Sequence, residues 1–293
     1  MTRVGLVAKP DAAQAQAVIL RLLDWFGGRD VTVVVEKETA GLVPAAAVAT
    51  ARKNDLPGQV DLVVVLGGDG TLLSMARAIG DLGVPILGVN LGGLGFLTAT
   101  TLDEMLPALE TLLAGGMEIE ERMMLDARLV RGGQLLGEYV ALNDVVITKS
   151  AMSRIIDLSV SVGGRHAISY RADGLIISTP TGSTAYNLSA GGPVVLPTQH
   201  LIITTPISPH TLAIRPLVVP PDSEVTVRAE DGPEELLVTI DGQVGTMFAP
   251  GDSLIVRRAA ASVVVVRFSE TTFFSVLRRK LGWGGLRERD EGE

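Results

Sequence analysis

Asp61-Leu62-Val63-Val64-Val65-Leu66-Gly67-Gly68-Asp69-Gly70-Thr71, with Leu72, Met75, Ala76 and Ile79 behind it, is the stretch on which the fold turns. An unbroken Val/Leu run at 62–66 predicts a strand buried on both faces, the mark of a parallel sheet. The apolar stripe from Leu72 has helical spacing. Between them, Gly67, Gly68 and Gly70 let the backbone approach an anion closely, and the helix amino terminus adds free N–H groups and a positive dipole end. Strand, glycine-rich turn and helix therefore predict a phosphate cradle at the carboxyl end of a strand, where α/β sheets bind ligands. Asp69 inside the cradle repels phosphate unless it binds Mg²⁺ or takes a proton from an attacking hydroxyl. A tight Asp-Gly turn with capping chemistry accounts for the same residues without function, and the position directly after a strand favours function.

The alternation continues outward. Residues 4–8 read as a first strand, and Ala15, Val18, Ile19, Leu22, Leu23 and Phe26 recur at helical spacing until Gly27 and Gly28 end the helix. Residues 31–35 and 84–89 read as further strands. Thr101 with Glu104 offers a capping box to a helix through about Leu113, which Pro107 is expected to kink. This repeated βαβ pattern predicts a Rossmann-like α/β domain. From about Met117 the texture becomes β-rich, with short runs at 125–130, 138–140, 145–148, 155–162, 175–178, 201–204, 217–219, 224–227, 236–240, 254–256 and 263–268. Many short strands at such spacing predict a sandwich or layered β domain. Phe273–Leu281 reads as a helix that returns to the first domain, and the charged tail 287–293 as frayed. The expected organisation is an α/β domain over 1–122, joined by a helix at 270–285, and a β-rich domain with a sandwich-like fold over 123–269.

At 293 residues the chain is about twice the ~150-residue domain prior, so two domains are the natural division. It holds no cysteine, which excludes a thiolate nucleophile, disulfides and Cys-based zinc or iron–sulfur sites. With 25 basic against 33 acidic residues and a net charge of -8, a broad surface for nucleic acid or an anionic membrane is not expected. Any polyanionic ligand must be held locally. Mean hydropathy is +0.37, yet the one long uncharged stretch, 82–102, is broken by Gly83, Pro85, Gly88, Gly92, Gly93 and Gly95 and does not read as a membrane span. Too few apolar residues separate Arg3 from Lys9 for a signal peptide, so a cytoplasmic protein is expected.

Several common signatures are absent. There is no Gly-x-x-x-x-Gly-Lys-Ser/Thr, the 68–73 segment lacks the third glycine of the dinucleotide fingerprint, and no Gly-x-Ser-x-Gly is present. A P-loop NTPase, an ordinary dehydrogenase and a serine hydrolase all lose ground. A second feature is Tyr170-Arg171-Ala172-Asp173-Gly174, a strand at 175–178, and then Thr179-Pro180-Thr181-Gly182-Ser183-Thr184-Ala185-Tyr186-Asn187-Leu188-Ser189-Ala190-Gly191-Gly192. Hydroxyls, an amide and glycines suit a sugar or phosphate, and Tyr186 offers a face to a base; the segment reads equally as a connection that satisfies its own backbone. Asn143-Asp144 pairs an amide, able to meet an adenine edge, with a carboxylate able to chelate a ribose diol, although alone it reads as an ordinary turn. Asp241-Gly242-Gln243 alone is a hairpin turn signal.

Together these segments resemble the NAD kinase family, ATP- or polyphosphate-dependent enzymes that phosphorylate NAD to NADP. The resemblance rests on Gly67-Gly68-Asp69-Gly70-Thr71, Asn143-Asp144, Asp173-Gly174 with the 179–192 string and Pro193, Pro206-Ile207-Ser208-Pro209-His210 leading to Arg215-Pro216-Leu217, and Leu277-Arg278-Arg279-Lys280-Leu281 with Trp283. It implies that Asp69 accepts the proton of the adenosine ribose 2′-hydroxyl, with Gly70 beside it, while the amides of Gly67, Gly68, Gly70 and Thr71 are read as the cradle of the donor phosphate. It further implies NAD contacts from Asn143, Asp144, Arg154, Arg171, Asp173, Thr184, Ala185, Tyr186, Asn187, Leu188, Ser189 and Gln243, of which Arg154 and Gln243 lie in the least distinctive surroundings. The family commonly has glutamate where Asp144 stands, so the charge is kept with a shorter reach. Mg²⁺, ATP or polyphosphate as donor, NAD as substrate and a homodimer or homotetramer are implied as well. A lipid or sugar kinase sharing the glycine–aspartate loop, and a non-catalytic NAD-binding module, are the alternatives.

Overall fold

The computed structural model describes residues 1–12, 14–43, 48–116, 118–149, 155–211, 213–231, 236–268 and 272–282. Arg154, Trp283 and the tail 287–293 lie outside them. The chain opens with β1 (Arg3–Ala8), α1 (Ala15–Gly27), β2 (Thr32–Glu36), a short α2 (Lys37–Ala40), β3 (Ala49–Ala51), β4 (Leu62–Gly67), α3 (Asp69–Ile79), β5 (Ile86–Asn90) and α4 (Met105–Leu113). The five strands pair in parallel in the order β3-β2-β1-β4-β5. Each residue of β4 is buried, as its unbroken apolar run requires of a central parallel strand. The α1 stripe, Ala15, Val18, Ile19, Leu22 and Phe26, packs with α4 on one face of this sheet, and Leu72, Met75, Ala76 and Ile79 of α3 pack on the other. This is the expected Rossmann-like layer.

The remainder is almost wholly β: β6 (Glu118–Arg131), β7 (Gln134–Ala141), β8 (Asp144–Lys149), β9 (Ile156–Val162), β10 (Arg165–Ala172), β11 (Gly174–Ser178), then a 3₁₀ turn (Thr181–Thr184) and α5 (Tyr186–Ser189). It continues with β12 (Ile202–Ile207), β13 (Leu217–Val219), β14 (Val225–Asp231), β15 (Leu236–Ile240), β16 (Val244–Phe248), β17 (Asp252–Arg267) and α6 (Phe273–Leu281). One sheet runs β13-β12-β11-β8-β15-β16. It covers β6, β9, β14 and the first half of β17 through a core that includes Leu125, Leu158, Tyr170, Ile177, Phe248 and Leu254. That is the anticipated sandwich.

β17 joins the two layers. Its first half pairs antiparallel with β14, and at Val265↔Ile86 it joins β5 in parallel, so the Rossmann-like sheet runs on into the sandwich. Residues 254–256 and 263–268, expected as separate strands, form this single strand: Ala259, Ala260 and Ala261 interrupt the β-branched pattern, while pairing with β6 continues across a register shift between Arg258 and Ser262. Pro107 is also placed differently from the kink expected of it. It is the third residue of α4, in the first turn, where a proline removes no intrahelical bond. The capping box forms, with Thr101 N donating to the Glu104 carboxylate at 2.8 Å and Glu104 N to Thr101 Oγ1 at 3.4 Å. Among the described residues no helix is long and apolar enough to cross a membrane.

Candidate active site

The carboxyl ends of β1, β4 and β5 place Lys9, Gly67 and Asn90 beside one another. Gly68 is the extended amino cap of α3, and a side chain at Gly67 would stand 2.7 Å from Thr71 Oγ1, so the turn closes tightly on its helix. On one side lies a cavity of about 350 Å³ bounded by Gly68, Gly70, Thr71 and Ser74 and faced by Lys9 and Lys53. Lys53 Nζ donates to Ser74 Oγ at 2.7 Å. Glu36 also reaches this cavity, but its carboxylate is taken up by Glu38 N, Thr39 N and Thr39 Oγ1 at the start of α2. Glu38 lines the cavity as well, so the two lysines are balanced by two carboxylates there, and the amino terminus of α3 is the feature that favours an anion.

Asp69 points elsewhere. Its Oδ1 accepts from Leu97 N at 3.1 Å, Thr98 N at 3.0 Å and Thr98 Oγ1 at 3.0 Å, and its Oδ2 from Phe96 N at 2.9 Å. Of the roughly four lone-pair positions of a carboxylate, one on Oδ2 is left. Asn90 shapes the same loop: its amide donates to Gly93 O at 2.6 Å and Thr98 Oγ1 at 3.2 Å and accepts from Gly92 N at 2.6 Å. A methyl group on Gly95 would overlap the Asp69 carboxylate, so glycine is required there by contact. Phe273 of α6 packs on Phe96 with ring centroids 6.1 Å apart, which brings the last helix against this loop.

The Asn143-Asp144 turn is built around Asp241, at the head of the β15–β16 hairpin. Asp241 Oδ1 accepts from Asn143 N at 2.7 Å and Asp144 N at 3.2 Å, and Oδ2 from Leu142 N at 3.3 Å and Arg77 Nη1 at 2.6 Å. Arg77 also donates to Gln243 Oε1, and Gln243 Nε2 donates to Gly70 O at 2.8 Å. The glycine turn and the Asn143-Asp144 turn, 73 residues apart at Gly70 and Asn143, thus share one network. Asp144 is 4% exposed; burial first, and then the charge of Asp241, push its carboxyl up to about 7.

The 179–192 string closes over the turn. Thr179 N and Ser178 Oγ donate to Asn143 O at 2.9 and 3.2 Å, and Thr179 Oγ1 to Leu142 O at 2.6 Å. Thr184, Ala185 and Leu188 are half-buried, Ser189 is exposed, and Tyr186 keeps 44% of its surface exposed, as a stacking face needs. Asn187 is fully buried, donates to Ser183 O and Pro193 O at 3.1 Å each, and accepts from Thr205 Oγ1 at 2.6 Å. Its side chain shapes the loop. Gln243 likewise directs its amide to Gly70 and Arg77.

Arg171 and Asp173 stand apart from these groups. Ser178 faces Asp144 and Gly174 faces Thr148 in the β8–β11 pairing, so Asp173 sits at the far end of β8, roughly 17 Å from Asp144 at ~3.4 Å per residue. There Asp173 pairs with Lys149 at 3.1 Å and Arg171 with Asp157 at 3.3 Å. The sequence reading missed Lys9, Lys53, Arg77 and the Asp69-binding loop, and took Asp241 only as a turn residue. Its one available signal was an aspartate before glycine at a hairpin; Asp241 does adopt a left-handed φ of 50°.

Comparison with known proteins follows the same two halves. Residues 4–117 match the family model of the ATP-NAD kinase N-terminal domain and residues 142–268 that of the ATP-NAD kinase C-terminal domain. An NAD kinase of Gemmatimonas aurantiaca is 51% identical over 98% of this chain and 98% of its own length. The chain belongs to the NAD kinase family. An NAD kinase of Geotalea daltonii is 47% identical over 97% of this chain and 99% of its own. Among solved structures, yeast NADH kinase complexed with NADH superposes with a TM-score of 0.90 at 25% identity, over 97% of this chain and 89% of that one. An Archaeoglobus fulgidus NAD kinase in complex with ATP gives 0.74 at 26% identity, over 96% and 98%. NAD kinase membership separates the 67–71 turn from the similar turns of lipid and sugar kinases. The Arg77–Asp241 pair spans the two NAD kinase domain models, one residue from each.

Proposed function

We propose that this NAD kinase transfers the terminal phosphoryl group of ATP to the 2′-hydroxyl of the adenosine ribose of NAD, making NADP, in the cleft between the 67–71 turn and the 142–144 turn. The observation that carries the placement is the network through Arg77, Asp241 and Gln243, which fixes an anion-binding turn and an amide–carboxylate turn as one site. Donor phosphates occupy the cavity of Lys9 and Lys53, where the amino end of α3 meets them. NAD lies along Asn143, Asp144, Thr184, Ala185, Tyr186, Leu188 and Ser189, with its adenine on the Tyr186 ring. The 2′-oxygen attacks the γ-phosphorus, a new O–P bond forms as the β,γ-bridging bond breaks, and ADP leaves with that electron pair. The hydroxyl proton passes to Asp69 Oδ2, whose remaining lone pair is the acceptor. A ribose hydroxyl is a very weak acid, so this proton moves late, and positioning contributes most of the rate.

Among the described residues no three His, Asp or Glu cluster tightly enough to hold a metal by themselves. A Mg²⁺ brought in with the donor would be met by the Thr71 and Ser74 hydroxyls at that cavity and would neutralise phosphate charge. The finer reading is completed by inorganic polyphosphate as a further donor, a cytoplasmic setting, a functional division into 1–122 and 123–269, and a homodimer or homotetramer. Exposed Leu135, Leu136 and Met247 support the last by offering a second copy apolar surface to cover. Incubating the purified protein with ATP, MgCl₂ and NAD and reading NADP with an NADP-specific dehydrogenase tests the activity. NADP formation is expected; none with either ATP or polyphosphate refutes it and leaves a binding module.

A further inference from the structure

Arg77 does not line the cavity of Lys9 and Lys53, yet both halves of the site meet on it. Its guanidinium, on a side chain 17% exposed, grips Asp241 and Gln243, and through Gln243 it reaches Gly70 O. Asp241 in turn collects three consecutive backbone N–H groups, those of Leu142, Asn143 and Asp144. Three amides on one carboxylate define the backbone path of the turn that presents the Asn143 and Asp144 side chains. Asp241 does this from a left-handed φ of 50°, a conformation that costs a non-glycine residue energy and persists only where surrounding bonds over-determine it. Its side chain is fully buried, and a second carboxylate, Asp144, lies beside it. Arg77 is the cation that answers this pair from the other half of the chain.

The helix completes the argument. Arg77 lies eight residues along α3 from Asp69, about 12 Å at 1.5 Å per residue, within one rigid element. We infer that Arg77 is a positioning residue for phosphoryl transfer: by holding Asp241 it sets the NAD-side turn at a fixed distance from the donor turn at the other end of α3. The inference rests on the function proposed above. Near the chemistry, a displacement of about 1 Å is enough to lower the rate roughly 10²-fold. Lysine replaces this arginine only in part, because one ammonium does not reproduce a planar fork addressing Asp241 and Gln243 together.

The test compares wild type, Arg77→Met and Arg77→Lys in steady-state assays with NAD varied at saturating ATP and MgCl₂. KM decides, because it does not depend on how much of a preparation is folded. For Arg77→Met we expect KM for NAD to rise at least tenfold and kcat to fall toward 10²-fold, with KM for ATP moving less than threefold. For Arg77→Lys, intermediate values are expected, and that variant alone decides if Arg77→Met does not fold. KM for NAD within twofold of wild type in the variants that fold overturns the inference, including the case where kcat falls only with the folded fraction. Wild type that makes no NADP overturns the proposed function instead, so the two failures are told apart.

Discussion

Replacing Asp69 by Asn separates its bonds to the 95–98 loop from the proton transfer proposed for it. If the new amide oxygen takes the place of Oδ1, the bonds from Leu97 N, Thr98 N and Thr98 Oγ1 survive. The amide nitrogen then takes the place of Oδ2 and meets Phe96 N–H, donor against donor, where the wild type has a 2.9 Å bond. An orphaned backbone donor costs about 1–3 kcal/mol, and Phe96 is only half-buried, so the lower end of that range applies. At roughly 2–4 °C per kcal/mol, the melting temperature falls by a few degrees and the protein stays folded at 25 °C. The catalytic loss is larger. On the proposed mechanism the substitution removes the general base, which lowers turnover by about 10²- to 10⁴-fold, and kcat measured at saturating NAD in the dehydrogenase-coupled assay reads that directly. Thr98→Val is the control: it removes one donor from Oδ1 and the hydroxyl that accepts from Asn90, leaves Oδ2 as it was, and is expected to lower the melting temperature comparably while kcat changes less than fivefold. Asp69→Asn turnover within tenfold of wild type, alongside a lowered melting temperature, would show that Asp69 only holds the 95–98 loop.

Further outcomes follow from neighbouring geometry. Gly95→Ala drives a methyl group into the Asp69 carboxylate and the Thr98 hydroxyl, so kcat is expected to drop at least tenfold while NAD binding, followed by calorimetry, persists; unchanged kcat refutes the contact. Lys53→Met removes one of two ammonium groups from the cavity proposed for the donor phosphates and is expected to raise KM for ATP several-fold with KM for NAD unaltered; the reverse pattern would move the donor elsewhere. Asp144, with its carboxyl raised to about 7, binds a proton in the native state between about pH 4 and pH 7 that the unfolded chain releases. Its stabilising contribution is full below about pH 4 and is lost as pH rises through about 7. The melting temperature of wild type should therefore fall relative to Asp144→Asn between pH 5 and pH 8, and parallel curves would count against the assignment.

Legibility in the sequence followed burial. β4 and α1 were readable because both bury a regular apolar set, and the capping box at Thr101 and Glu104 was readable because it is local. The strands that escaped, β3, β10 and β16, all lie at sheet edges. An edge strand needs only half a ladder and little burial: Arg165–Ala172 buries only Tyr170 and Ala172, so its apolar pattern is weak. The same logic governs the site. Backbone chemistry at Gly67, Gly68 and Gly70 shows in the residue type, because glycine alone allows that approach. Lys9, Lys53 and Arg77 are ordinary surface-type residues whose function depends on what folds against them.

The location of those hidden residues follows from α3 itself. Its sequence directs three side chains to three different neighbours: Asp69 to the 95–98 loop, Ser74 to Lys53 at the cavity beside the glycine turn, and Arg77 to the β15–β16 hairpin. At 3.6 residues per turn, positions five and eight residues on from Asp69 are turned by about 140° and 80° from it, so one helix can serve separate sites only if the partners come from separate parts of the chain. They do: residue 53 precedes the helix, residue 96 follows β5, and residue 241 turns the β15–β16 hairpin of the second sheet. Asp69 and its glycines could be found by a motif because they act within one turn of chain. Arg77 carries no such mark, since its importance is defined by Asp241, 164 residues away, and by the left-handed bend that brings that carboxylate to the arginine.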